Sequence, residues 1–197
     1  MEKMRVPDGM AACRKKGQGG RLFAFCILQV ILWLILLQEY GADWYFLLCG
    51  ICCGLLSALS MVDLAIYELP PELNLLIAFC GAGRLMTDLG HWYEYLIGAV
   101  LVSGLFLAIG LISGGRAMGF GDVKMMAALG LFLGWKKILL VLLLACVLGV
   151  LIHGLRMIIS KKEHVLAFGP YLALGAVVAM IWGDRVIDWY IGTFFTF

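Results

Sequence analysis

Charge is what this sequence has least of. Asp, Glu, Lys and Arg together make up 14% of its 197 residues, while 63% are hydrophobic. Soluble globular domains carry about 25% charge and about 45–50% apolar residues, so a soluble domain is excluded. The 15 Lys and Arg are dispersed and leave a formal net charge of only +2, which speaks against a basic groove for nucleic acid. Histidine occurs three times, as His91, His153 and His164, without metal-ligand spacing. No nucleophilic serine motif and no phosphate-binding glycine loop is present.

Cysteine is not scarce, but its placement argues for packing. Cys26, Cys49, Cys52, Cys53, Cys80 and Cys146 all lie in apolar runs, and only Cys13 does not. Cys49, Cys52 and Cys53 contain a CxxC spacing, yet no second thiol pair or histidine stands nearby to complete a four-ligand zinc site. Free cysteines in apolar surroundings behave as small hydrophobes, and no metal or organic cofactor is expected.

What the chain has in abundance is long apolar runs. A polar, basic segment covers residues 1–21, with Arg14, Lys15 and Lys16, and a membrane-embedded domain follows over 22–197. Apolar runs at 22–37, 44–61, 73–85, 92–112, 123–135, 138–159 and 165–182 predict an all-α, polytopic transmembrane helix bundle of about seven spans. A helix needs about 20 residues to cross about 30 Å of hydrocarbon, and the runs at 73–85 and 123–135 are short by that measure. Each begins just after a loop that holds an aspartate, and short membrane segments often mark the working part of a membrane protein. The stretch 186–195 is too short and broken to count as a further span.

Basic residues orient the bundle. With the amino terminus cytoplasmic, that side collects Lys3, Arg5, Arg14, Lys15, Lys16, Arg21, Arg116, Lys124, Arg156, Lys161 and Lys162. The other side keeps Arg84, Lys136, Lys137 and Arg185, in accord with the positive-inside rule except locally at Lys136 and Lys137.

Under this topology two carboxylates return to one membrane face. Asp63 ends the second run, and two further crossings bring the chain back before Asp122. Acids at such depth are costly and usually face a cavity or a partner. Each has an ordinary alternative: Asp122 as a helix N-cap, and Asp63 as an interfacial end-of-span residue. Their shared face favours chemistry, because two carboxylates brought close in a low-dielectric site share a proton. One then serves as base toward a water while the other donates to a carbonyl. Gly119 and Gly121, in Gly119-Phe120-Gly121-Asp122, allow another chain to approach the backbone closely.

Three blocks resemble the type IV prepilin peptidases, members of the GxGD class of membrane aspartyl proteases. The first is Asp63-Leu-Ala-Ile-Tyr-Glu-Leu-Pro70 followed by Leu73-Asn74, similar to the family's Asp-x6-Pro-Asp-x-Leu-[Thr/Asn] block. The second is Gly119-Phe-Gly-Asp-Val-Lys-Met-Met-Ala-Ala-Leu-Gly130 with Gly134, similar to GxGDxKLxAxLGxxLG along its whole length. The third is Phe168-Gly-Pro-Tyr-Leu-Ala-Leu-Gly175, resembling FGPFLAxG. The resemblance covers residues 44–183. It departs from the family where Pro71 follows Pro70 in place of the usual Asp.

The resemblance implies an intramembrane aspartyl endopeptidase of the bacterial cytoplasmic membrane, with Asp63 and Asp122 as its catalytic pair. Its partners would be the lipid bilayer and prepilin or pseudopilin-like single-span substrates, cut at the cytoplasmic face. Many bacterial members carry two CxxC pairs in an amino-terminal segment associated with methylation; nothing before Leu22 resembles it, so methyltransferase activity is not carried over. Supporting or substrate-binding roles fall to Gly119, Gly121, Lys124, Glu68, Pro70, Phe168, Gly169 and Pro170. Of these, Lys124 can equally snorkel to the interface, Glu68 can equally be a solvated loop acid, and the segment Phe168 to Pro170 can simply bend the start of its helix. Two other functions fit the same fold: a small proton-coupled transporter, whose acids would be spread through the bilayer depth, and an inactive scaffold for pilus assembly.

Overall fold

The computed structural model describes residues 8–66, 69–114, 119–159 and 168–194. Every regular element among them is helical: α1 (Asp8–Tyr40), α2 (Trp44–Ile66), α3 (Pro71–Thr87), a 3-10 turn (Leu89–His91), α4 (Trp92–Ile112), α5 (Phe120–Ile159) and α6 (Gly169–Phe194). Four stretches are long and apolar enough to cross a membrane: Trp44–Ile66, Leu89–Ile112, Phe120–Ile152 and Gly169–Phe194. The apolar part of α1, Phe25–Tyr40, and the 17-residue α3 are shorter. Length alone therefore supports four crossings, not the seven expected from the apolar runs.

α5 is not one straight rod. At Gly134 the backbone takes φ 78° and ψ 172°, a region of conformational space open to glycine almost alone. The contacts on either side show that the chain reverses there. In the first arm, residues 120–133, Asp122 lies within electrostatic range of Asp63 near the end of α2. At the far end of that arm, Phe132 stacks on Tyr45 at the start of α2, centroids 6.1 Å apart. In the second arm, residues 135–159, Lys137 pairs with Asp184 far along α6 at 2.7 Å, whereas a Cβ at Gly149 would lie 3.5 Å from the ring of Phe168, just ahead of α6. The second arm thus returns antiparallel to α6, and the apolar runs at 123–135 and 138–159 are separate helical arms.

Helices of a membrane protein gain little by hiding apolar surface from lipid, so close backbone approach and small residues matter at their contacts. α4 meets the first arm of α5 where Gly98 faces Gly130: a Cβ at Gly98 would lie 2.7 Å from the Gly130 carbonyl oxygen and 2.8 Å from the Trp135 nitrogen. The second arm meets α6 in the same manner, a Cβ at Gly175 falling 2.9 Å from the Val141 carbonyl oxygen. Between these contacts lies a core that includes Leu56, Leu59, Ile77, Met125, Leu129, Phe132, Ile138, Leu172 and Met180, all fully buried. Large apolar side chains such as Phe79, Val100, Leu143 and Val150 are exposed on the outside, as suits a lipid-facing surface. Cys49, Cys52, Cys53 and Cys80 are buried and free, as their apolar neighbours predict.

The two ends of the bundle differ. At one end Arg185 pairs with Glu39 at 2.8 Å, Lys137 with Asp184 at 2.7 Å and Lys136 with Glu94 at 3.9 Å. Arg84 lies over the Tyr45 ring at 4.2 Å. The four cations assigned to one side from sequence therefore do gather at one end. α6 continues as one helix to Phe194, into the stretch that the sequence marks as too short and broken to be a further span, and Asp184 and Arg185 each find a partner on a neighbouring element. The aspartates lie at the opposite end.

Candidate active site

The apolar run of α2 carries Asp63 to within a turn of the helix end, where its side chain is only 5% exposed. Its Oδ2 accepts a hydrogen bond from the backbone N–H of Gly169 at 3.0 Å. Gly169 opens α6, and the first N–H groups of a helix have no partner within the helix. A carboxylate placed there also benefits from the helix dipole. The closeness is tight, since a Cβ at Gly169 would sit 2.6 Å from Asp63 Oδ2. The block around Phe168, Gly169 and Pro170 stands at the start of α6, and its Gly169 backbone holds one aspartate directly.

Asp122 stands in the first turn of α5 and is 9% exposed. The backbone N–H of Asp122 donates to the Gly119 carbonyl at 3.1 Å, and its Oδ2 lies back toward Gly119, 3.3 Å from where a Cβ would be. Its Oδ1 is buried without a hydrogen-bond partner among the described residues. Asp63 acts on it electrostatically. Two buried carboxylates from distant parts of the chain thus share one end of the bundle. The only other polar or charged residue buried among those described is Asn74.

Two residues not assigned a role from sequence join the aspartates. Leu69 wedges between their supports: a Cβ at Gly121 would fall 2.7 Å from Leu69 Cβ, and one at Gly169 would fall 3.2 Å from Leu69 Cδ2. Asn74, in the first turns of α3, donates from Nδ2 to the Gly121 carbonyl at 3.3 Å. Asn74 stands at a named position of the first motif block, whereas Leu69 falls in its unspecified stretch and carried no signal of its own. Pro70 is half-buried with φ −59° and ψ 128°, an extended residue that leads into α3, and Pro71 starts the helix, a position where its missing N–H removes nothing.

The remaining assignments separate. Phe168 packs on Phe106 and Tyr171, ring centroids 6.3 and 6.4 Å away. Pro170 lines an apolar groove of about 330 Å³ with Leu56, Met61, Leu64 and Leu174. Lys124 is exposed and makes no ion pair or hydrogen bond among the described residues. Glu68 lies outside the described residues. Among the described residues no group of three or more His, Cys, Asp or Glu is placed to hold a metal ion.

Comparison with known proteins bears on this arrangement. The type IV leader peptidase family matches residues 50–154. A prepilin leader peptidase/N-methyltransferase of Aeromonas salmonicida is 33% identical over 85% of this chain and 60% of its own length. The protein of the same name from Legionella pneumophila is 32% identical over 77% of this chain and 57% of its own length. The one from Bacillus subtilis is 30% identical over 70% and 56%. The chain therefore spans about 60% or less of the length of these curated relatives. No solved structure matches it. With the family matched over more than half of its length, including both aspartates and the glycines beside Asp122, the chain belongs to the type IV leader peptidase family.

Proposed function

We propose that this protein is an intramembrane aspartyl endopeptidase that removes the leader of prepilin or pseudopilin-like substrates at the cytoplasmic membrane face. The observation that carries the reading is the burial of Asp63 and Asp122 together at one end of an otherwise apolar bundle. Buried acids inside membrane proteins are retained for function. With one proton shared between them, the ionised carboxylate takes a proton from water, and the water oxygen forms a bond to the scissile carbonyl carbon. The protonated carboxyl hydrogen-bonds to the carbonyl oxygen. Collapse of the tetrahedral centre breaks the C–N bond, and the abstracted proton passes to the leaving nitrogen.

In this proposal the chain crosses the membrane seven times, by α1, α2, α3, α4, the two arms of α5 and α6. A straight α5 from Phe120 to Ile152, 33 residues, would be about 50 Å long against about 30 Å of hydrocarbon, and the reversal at Gly134 resolves the mismatch. The amino terminus is cytoplasmic, which puts the dyad on the same side as Lys124 and leaves Arg84, Lys136, Lys137 and Arg185 outside. The groove lined by Met61, Leu64 and Pro170 adjoins Asp63 and Gly169 in sequence and suits the apolar stem of a substrate. The relatives' names also include N-methyltransferase; the chemistry proposed here needs only the dyad and water, and concerns the peptidase half.

A proton-coupled carrier would place acids through the bilayer depth, and among the described residues the buried acids are Asp63 and Asp122, at one end. Coexpression of a prepilin-like substrate with wild type, Asp63→Asn and Asp122→Asn decides the matter. Leader removal is expected with wild type only. Processing that persists in either amide variant refutes the dyad.

A further inference from the structure

The end of the bundle opposite the dyad holds a polar cavity of about 380 Å³, a size usual for small-molecule sites. Its charged lining is Arg84, Lys136 and Lys137 against Glu94, Asp184 and Asp188. Two of these pairs cancel: Lys137 with Asp184 at 2.7 Å, and Lys136 with Glu94 at 3.9 Å. Arg84 and Asp188 are left over, each without an ion pair or side-chain hydrogen bond among the described residues. Arg84 is half-buried, and its guanidinium lies 4.2 Å from the Tyr45 ring centroid and 5.9 Å from that of Tyr95. Stacking engages the flat face of a guanidinium and leaves its edge of N–H donors unused. That edge matches the paired oxygens of a phosphate or carboxylate.

Tryptophans mark the depth of this cavity. Trp44 opens α2, Trp92 opens α4, and Trp182 and Trp189 lie to either side of Asp184 in α6, all of them exposed. Tryptophan is enriched where headgroups meet hydrocarbon, so the cavity lies at headgroup level. A ligand that meets the two leftover charges carries one anionic and one cationic group. We propose that the cavity binds the headgroup of a membrane phospholipid that bears a phosphate and a primary ammonium, an ethanolamine phospholipid. The phosphate oxygens accept from the edge of Arg84 and from Lys136, whose contact with Glu94 is long enough to leave N–H donors spare. The ammonium donates to Asp188. Ile187 and Ile191, which also line the cavity, give the glycerol an apolar wall. Tyr45 of α2, Arg84 of α3, Glu94 of α4, Lys136 of α5 and Asp188 of α6 all face this one space, so a lipid held there ties the ends of those helices together. The site is separate from the dyad and stands or falls independently of the peptidase reading.

The test is calorimetric titration of the purified full-length protein in detergent with dihexanoyl phosphatidylethanolamine, dihexanoyl phosphatidylglycerol and inorganic phosphate. Wild type is expected to bind the ethanolamine lipid about 2–5-fold more tightly than the glycerol lipid, the scale of one exposed ion pair. Arg84→Gln should weaken both lipids about 10–100-fold, the scale of hydrogen bonds to a charged group. Asp188→Asn should make the two lipids equal. Asp188 is exposed and unpartnered among the described residues, so this change leaves the fold intact and decides the matter even where Arg84→Gln fails to fold. Wild-type protein that binds neither lipid or binds both equally, a preference that survives Asp188→Asn, or full affinity in Arg84→Gln overturns the proposal. Inorganic phosphate bound as tightly as the ethanolamine lipid also overturns it, and assigns the cavity to the free anion.

Discussion

Replacing Gly169 by alanine is the sharpest probe of how the site is held. The new Cβ would lie 2.6 Å from Asp63 Oδ2, about 0.8 Å short of the 3.4 Å at which ordinary contact begins. The obstacle is the end of a side chain, so Asp63 yields and the helices stay. That movement stretches or breaks the bond from the Gly169 N–H, now 3.0 Å, and carries a reacting carboxylate most of an ångström from its place. Misplacement on that scale costs about 100-fold in rate, or about 2.7 kcal/mol of transition-state stabilisation. A hydrogen bond to a charged group contributes about 1.5–3 kcal/mol to folding stability, which bounds what the fold loses when this one is stretched. The assay is leader cleavage by purified Gly169→Ala protein, with its melting temperature recorded in the same detergent. The expected result is a loss of about 100-fold in kcat/KM, with stability lowered by no more than that hydrogen bond contributes, about 1.5–3 kcal/mol. Gly130→Ala supplies the contrast. Its Cβ would press on the Gly98 backbone and lie 2.7 Å from the Ala99 nitrogen, and backbone cannot step aside, so stability falls by about 1–3 kcal/mol. A Gly169→Ala enzyme within threefold of wild type would refute the reasoning.

Two further outcomes follow from features away from the dyad. Gly134→Ala forces a Cβ into φ 78°, ψ 172° and is expected to lower stability by about 1–3 kcal/mol, read as a drop in melting temperature; an unchanged value would mean that the chain does not reverse through this residue. At the other end of the bundle, Asp88 bonds His91 Nδ1 at 3.0 Å and accepts from the Tyr95 hydroxyl at 2.8 Å, and these bonds hold its carboxyl below the usual carboxylate range. A carboxyl lowered on folding stabilises the fold above its unfolded pKa and loses that contribution as pH falls through the folded value. The melting temperatures of wild type and Asp88→Asn should therefore differ at neutral pH and converge in acid.

Much of this architecture was legible in the sequence because burial in lipid writes itself in long apolar runs. The runs at 44–61, 92–112 and 138–159 lie within α2, α4 and α5. Counting crossings along them brings Asp63 and Asp122 to one end, since parity needs only the order of the runs. Side-chain direction is another matter. Asn74 and Lys124 both sit within motif blocks, and the pattern favoured Lys124; the helices turn Asn74 inward, to 4% exposure, and leave Lys124 exposed. Nor could composition show that the chain stays helical beyond Trp182, because the charges there are tolerated through partners on other elements, Lys137 and Glu39. Leu69 is one leucine among many in the sequence and gains meaning only from the two glycines that converge on it.

The crossing of Gly98 over Gly130 leaves no side chain between two backbones, and so nothing there can adjust by changing rotamer. α4 and the first arm of α5 are obliged to travel as one body, with Asp122 aboard and Asn74 of α3 fastened to it through Gly121. Asp63 is held from another side, by α2 and the start of α6, through Gly169. The two carboxylates therefore hang from different supports, and a substitution at the Gly98–Gly130 crossing acts on the helix of Asp122 while leaving in place the bond that holds Asp63.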